Sequence, residues 1–205
     1  MPPLTLTRRI VLFGAASALG GCSAVSALNS AAQPLDTYDL SPAAGASAGR
    51  RTSHTLLVAR PEASAAIATD RIMVKPDPVS ITYLPDARWG DEAPLVLQSL
   101  LIRSISATGR IGYVGRSEGG PIPNSALLVR MDAFQVNVMP DGTMHATIDI
   151  ALTVLDDRDQ RVISTRSFEQ AARTANDSPT AIVSAFQAAL DQLLPEMADW
   201  VLQNA

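Results

Sequence analysis

Gly115-Arg116-Ser117-Glu118-Gly119 is the stretch of this 205-residue chain that reads most like a catalytic signature. It matches G-x-S-x-G, in which a strained strand-to-helix turn exposes a serine for attack on an acyl carbon. That chemistry needs a helix directly after the serine and a histidine base oriented by a carboxylate. Gly120-Pro121-Ile122-Pro123 follows instead, which reads as a loop. The two histidines are His54 and His145, and the only aspartates between Ser117 and His145 are Asp132 and Asp141. So short a pattern arises by chance in about one sequence in twenty at ordinary Gly and Ser frequencies. The segment is therefore read as a glycine-rich loop, both histidines as solvated strand residues, and no enzyme is expected.

Other chemistries lack their parts. One cysteine, Cys22, and two histidines cannot build a zinc site of Cys and His ligands, and no D-x-[DN]-x-[DN]-G loop is present. Gly109, Gly112 and Gly115 do not form G-x-G-x-x-G, and Lys75, the only lysine, is in no phosphate-binding loop. The 16 basic residues against 20 acidic ones give a net charge of -4, which makes no nucleic-acid surface. No metal, cofactor or nucleic acid is expected, and Met131, Met139 and Met144 are read as packing.

Cys22 has a different use. Arg8-Arg9 precedes an apolar run from Ile10 to Leu19, which closes on Gly20-Gly21-Cys22. The run is too short for a stable transmembrane helix and has the layout of a signal peptide. Leu19-Gly20-Gly21-Cys22 resembles the bacterial lipobox, in which the thiol is acylated before cleavage leaves the cysteine first. Several acyl chains at ~0.8 kcal/mol per buried methylene make an effectively permanent anchor. The expected organisation is a signal peptide over 1–21, a lipidated Cys22 and flexible tether over 22–35, and one domain over 36–205. Ser23 after the cysteine points to the outer membrane, facing the periplasm. Thr7-Arg8-Arg9 also resembles a twin-arginine signal, with Sec export the favoured route.

The mature chain shows a short strand at residues 37–40, a low-complexity patch over 42–50, and strands at 55–60, 71–75 and 80–84. Asp91 as N-cap, Pro94 in the first turn and Gly109 at the end frame a helix with Leu97, Leu100, Leu101 and Ile105 on one stripe. A short strand over 111–114 and a polar loop over 116–125 follow. Strict alternation from Met144 to Val154, joined through Pro140-Asp141-Gly142 to the run over 127–139, marks a long antiparallel hairpin. Its first arm changes phase between Met131 and Phe134, which calls for a bulge near Asp132-Ala133. A third strand over 161–171 completes a meander. Ser178 and Pro179 open a last helix whose stripe runs from Ile182 to Val201, with Pro195 expected to kink or split it. The fold class is α+β: a mixed, mainly antiparallel sheet with a long C-terminal β-meander and two helices packed against it.

Asp70-Arg71-Ile72-Met73-Val74, followed by Tyr83-Leu84-Pro85-Asp86-Ala87-Arg88-Trp89, resembles the ABC-type transport auxiliary lipoproteins, as does Tyr38-Asp39-Leu40 after the lipobox. The resemblance implies a non-enzymatic subunit of an MCE-type ABC system that moves phospholipid or other lipids between inner and outer membranes. Its partner would be an MCE-domain protein, a ring-shaped homo-oligomer is consistent with some relatives, and no catalytic residues carry over. The competing reading is an outer-membrane lipoprotein that assists envelope assembly or activates cell-wall synthesis. From the residues themselves, Tyr83, Arg88 and Trp89 are candidates for partner contact. Trp89 reads more readily as a core plug holding the start of the first helix.

Overall fold

The computed structural model describes residues 35–205, so the signal peptide, Cys22 and nearly all of the tether lie outside the described residues. The strands are β1 (Asp36–Tyr38), β2 (Thr55–Val58), β3 (Glu62–Ala63), β4 (Arg71–Lys75), β5 (Thr82–Trp89), β6 (Tyr113–Arg116), β7 (Ser125–Val138), β8 (Met144–Asp156) and β9 (Arg161–Arg173). The helices are α1 (Ala93–Ala107), between β5 and β6, and α2 (Pro179–Asn204), at the end.

β7 organises the sheet because both its edges are paired. Along one edge lie three short parallel strands in file: β2 beside Ser125–Leu127, β3 beside Arg130 and Met131, and β4 beside Gln135–Asn137. Along the other edge β8 runs antiparallel, and β9 runs antiparallel to β8. β6 flanks β2, while β5 and then β1 flank β4. The sheet is mixed, with its longest ladders in the antiparallel meander. β7 carries the bulge the phase change requires: Met131 faces Ile150 and Ala133 faces Asp149, leaving Asp132 extra. That one residue lets Leu127, Val129 and Met131 share a buried face with Phe134 and Val136.

Both helices cover this face. Ala146, Ile148, Ile150, Leu152 and Val154 of β8 are fully buried, as is the stripe Phe186, Ala189, Leu190, Leu194, Met197 and Val201 of α2. Each fully buried aliphatic side chain contributes roughly 1.5–3 kcal/mol. Leu97, Leu100, Leu101 and Ile105 of α1 are buried too. Gln98, on the polar side of the sequence pattern, is fully buried as well, and its Nε2 donates to the Val58 carbonyl at 3.0 Å, tying α1 to β2.

Several boundaries differ from the sequence reading. Glu92, not Asp91, is the N-cap of α1 and makes no side-chain cap bond, while Asp91 Oδ1 accepts from the Glu92 amide. β6 falls two residues later than expected, and β3 is too short to leave a periodic signal. α2 begins as its sequence dictates, with Ser178 Oγ accepting from the Ala181 amide at 3.3 Å. Pro195 does not split it: the helix is continuous to Asn204. Leu193, Leu194, Met197 and Ala198 are all buried around the proline, and their packing outweighs the lost backbone bond.

The low-complexity patch is a strap across α2. Ser41 exchanges hydrogen bonds with the Gln187 side chain, and the Ala46 amide donates to Asp199 Oδ1, which also accepts from Arg110. A Cβ at Gly45 would come within 2.9 Å of Asp199 Oδ1, and Gly49, at φ +135, lies against the Arg110 guanidinium. Small residues occur here because the backbone crosses an ion pair at contact distance.

Candidate partner interface

The segment holding Tyr83, Arg88 and Trp89 is not a lead-in to the first helix but strand β5, extended to Trp89 and irregular in its middle. Arg71 faces Arg88 whereas Met73 faces Tyr83, so the residues between Tyr83 and Arg88 swell outward opposite Ile72. Asp86, at φ +56, makes the turn this needs; aspartate tolerates that region better than most residues. The Arg71 guanidinium reaches this irregular stretch, donating to the Leu84 carbonyl at 3.1 Å and lying 6.0 Å from the centre of the Tyr83 ring.

The three candidate residues take three different places. Trp89 is 2% exposed; its ring meets Phe186 edge-on at 5.3 Å and Phe134 at 5.7 Å. It is the core plug, and its side chain offers no surface to a partner, because strand alternation turns it beneath α2. Tyr83 is half-buried, with its hydroxyl donating to the Ala66 carbonyl at 3.2 Å. Arg88 is exposed: Nε donates to Thr37 Oγ1 at 3.1 Å, and Nη1 stands 3.7 Å from Asp70 Oδ2. The sequence reading did not connect Arg88 with Thr37 and Asp70. Asp70 was legible only as part of the Asp70-Arg71-Ile72 motif, because the pairing depends on the register of β4 with β5.

Arg88 borders a groove of about 440 Å³ lined also by Thr69, Asp70, Gly90, Asp91 and Glu92. Glu92 is paired with Arg60. An open groove of charged and backbone groups suits polar contact with a polypeptide better than burial of an acyl chain. A second charged patch lies on the helix-free face of the sheet. There Arg130 grips Asp132 with bonds of 2.9–3.1 Å, which hold the Asp132 carboxyl below the usual carboxylate range. Asp149 is pushed the other way, first by its burial and then by the charges of Asp132 and Glu169.

The G-x-S-x-G stretch does not assemble. Ser117 follows β6 and its amide donates to the Val58 carbonyl, level with Leu127 of β7, whereas His145 pairs with Asn137. Ten residues of β7 separate these levels, roughly 33 Å. Asp141 bonds Thr143, and turns rather than a helix follow Ser117. Among the described residues no three His, Cys, Asp or Glu side chains cluster to hold a metal.

Residues 38–198 match the sequence model of the ABC-type transport auxiliary lipoprotein component family. A crystal structure of a protein from Xanthomonas campestris superposes with a TM-score of 0.76 at 28% identity, covering 82% of this chain and 96% of that one. A second crystal structure, of an uncharacterized protein, gives 0.65 at 15% identity over 82% of this chain and 99% of that one, which concerns the fold alone. An uncharacterized protein of Bradyrhizobium diazoefficiens is 25% identical over 173 residues, 81% of this chain, and the chain spans only 44% of that relative's length.

Proposed function

This chain belongs to the ABC-type transport auxiliary lipoprotein family, and from that premise we propose that it is a non-enzymatic, periplasm-facing subunit of an MCE-type ABC system. In this reading Cys22 carries the lipid that holds the protein at the outer membrane, and the domain docks an MCE-domain protein. The system moves lipid between inner and outer membranes, with ATP hydrolysis and passage through the inner membrane belonging to other chains.

The observation that carries the proposal is the family match along 38–198, almost the whole described domain. Arg88 supports a docking role: it is an exposed cation held by a bond to Thr37 and a long contact to Asp70, and a partner's carboxylate would compete for it. Such an exposed pair contributes little to stability, at most about 1 kcal/mol. Arg88→Glu is therefore expected to reduce copurification with the MCE-domain protein while the melting temperature stays close to that of the unaltered protein. Undiminished copurification would remove Arg88 from the interface.

A further inference from the structure

The end of the sheet that carries the β4–β5 and β7–β8 turns is built differently from the charged groove. Lys75, Pro76, Asp77 and Pro78 lie beside Val138, Met139 and Pro140 around a cleft of about 490 Å³. Three apolar side chains stand out at this end: Val79 is 92% exposed, Ile81 52% and Met139 42%. Val79 is held outward because Asp77 Oδ1 accepts from the amides of both Val79 and Ser80 at 2.9 Å. The Ser80 side chain first, and then these amide bonds, draw the Asp77 carboxyl below its ordinary range. Lys75, the only lysine in the chain, stands at the base of the turn, where a long cationic side chain can reach a phosphate above an apolar contact.

The direction of β1 bears on what this end faces. β1 runs parallel to β5, with Asp36 level with Ala87 and Tyr38 level with Trp89. The backbone therefore reaches Asp36 from the side of Thr82, the end of β5 next to Val79 and Ile81. Because Val74 of β4 faces Thr82 and Arg71 faces Arg88, Asp36, level with Ala87, lies at most three residues of strand from the level of Thr82, roughly 10 Å. From Cys22, the thirteen residues 23–35 span at most roughly 40 Å when fully extended. With a lipid anchor at Cys22, this end is within the tether's length of a bilayer, and β1 enters the sheet from its side.

We propose that the Val79–Ile81 turn and Met139 form a lipid-surface seat, with Val79, Ile81 and Met139 entering the headgroup–acyl boundary and Lys75 meeting lipid phosphate. The seat fixes the orientation of the domain on the membrane, which a lipid anchor alone does not do. It rests on Cys22 being the lipid anchor and not on the identity of the transporter. The opposite end of the sheet is apolar as well, with Ile122 at 90% and Val162 at 55% exposure, and in this proposal it points away from the bilayer and supplies the internal comparison.

Acylation consumes the only native thiol, so Val79→Cys or Ile122→Cys in the lipidated full chain gives a single labelling site. Each variant would carry an environment-sensitive fluorophore and be reconstituted in phosphatidylethanolamine–phosphatidylglycerol vesicles, with and without acyl-brominated phosphatidylcholine, then floated. The expected result is blue-shifted emission and loss of intensity with brominated lipid at position 79, with neither at 122. Floated protein with equal quenching at both positions, or more at 122, would overturn the seat and leave the anchor standing. Protein absent from the floated fraction would overturn the anchor and the seat with it.

Discussion

Arg88 and Trp89 are neighbours in sequence, and strand geometry sends one side chain to solvent and the other into the core. Their substitutions should separate accordingly. Trp89→Ala empties the centre of a cluster formed with Phe134 and Phe186 and is expected to cost about 3–5 kcal/mol, read from chemical denaturation. Asp149 gives a pH test. Its carboxyl is raised in the folded protein, so between the unfolded value near 3.8 and the raised one the native state holds more protons, and stability falls as pH rises through that window. Asp149→Asn is thus expected to stabilise the protein at neutral pH and to remove that part of the pH dependence; an unchanged profile would contradict it. Asp132 has the opposite sign, its stabilisation being present at neutral pH and lost as acid protonates it below 3.8. Neither sign was legible in the sequence, since both depend on which side chains the β7 bulge and the β8 register bring together.

The elements best marked in the sequence are those whose signals are local. Ser178-Pro179 starts α2 where expected, and the alternation from Met144 to Val154 defines β8. The phase change in β7 places the bulge at Asp132, because two out-of-phase apolar sets can share one face only if a residue is skipped. Strand β5 was less legible: Pro85 and Asp86 look like a terminator, and only pairing with both β4 and β1 keeps the strand going. The strap over residues 42–50 looked like low complexity because its small residues leave no pattern, although they reflect close packing on Asp199 and Arg110. Asp199→Ala would leave the largely buried Arg110 guanidinium without its carboxylate and release the Ala46 amide. A loss of about 2 kcal/mol is expected, scaled down from the fully buried case because Asp199 is one-third exposed. Faster amide exchange around Ala46 should accompany it. Gly45→Leu, which forces a side chain into Asp199, should produce the same exchange signature.

At the scale of the molecule, the domain has a charged groove at the β1–β5 edge, exposed apolar side chains both beside the β4–β5 turn and at the opposite end around Ile122 and Val162, and a core sealed by two helices. Fold class was readable because a long meander followed by a capped helix admits few packings. Partnership was not readable from composition or spacing, since a docking surface has no motif and is made by register. It enters through family membership, and the test of it lies outside the single chain. The most direct measurement is affinity purification of the lipid-anchored protein from native membranes, with mass spectrometry of what accompanies it and Cys22→Ala as the control for anchoring. The account predicts recovery of an MCE-domain protein together with a permease and an ATPase. Recovery of envelope-assembly or cell-wall components in their place would contradict it.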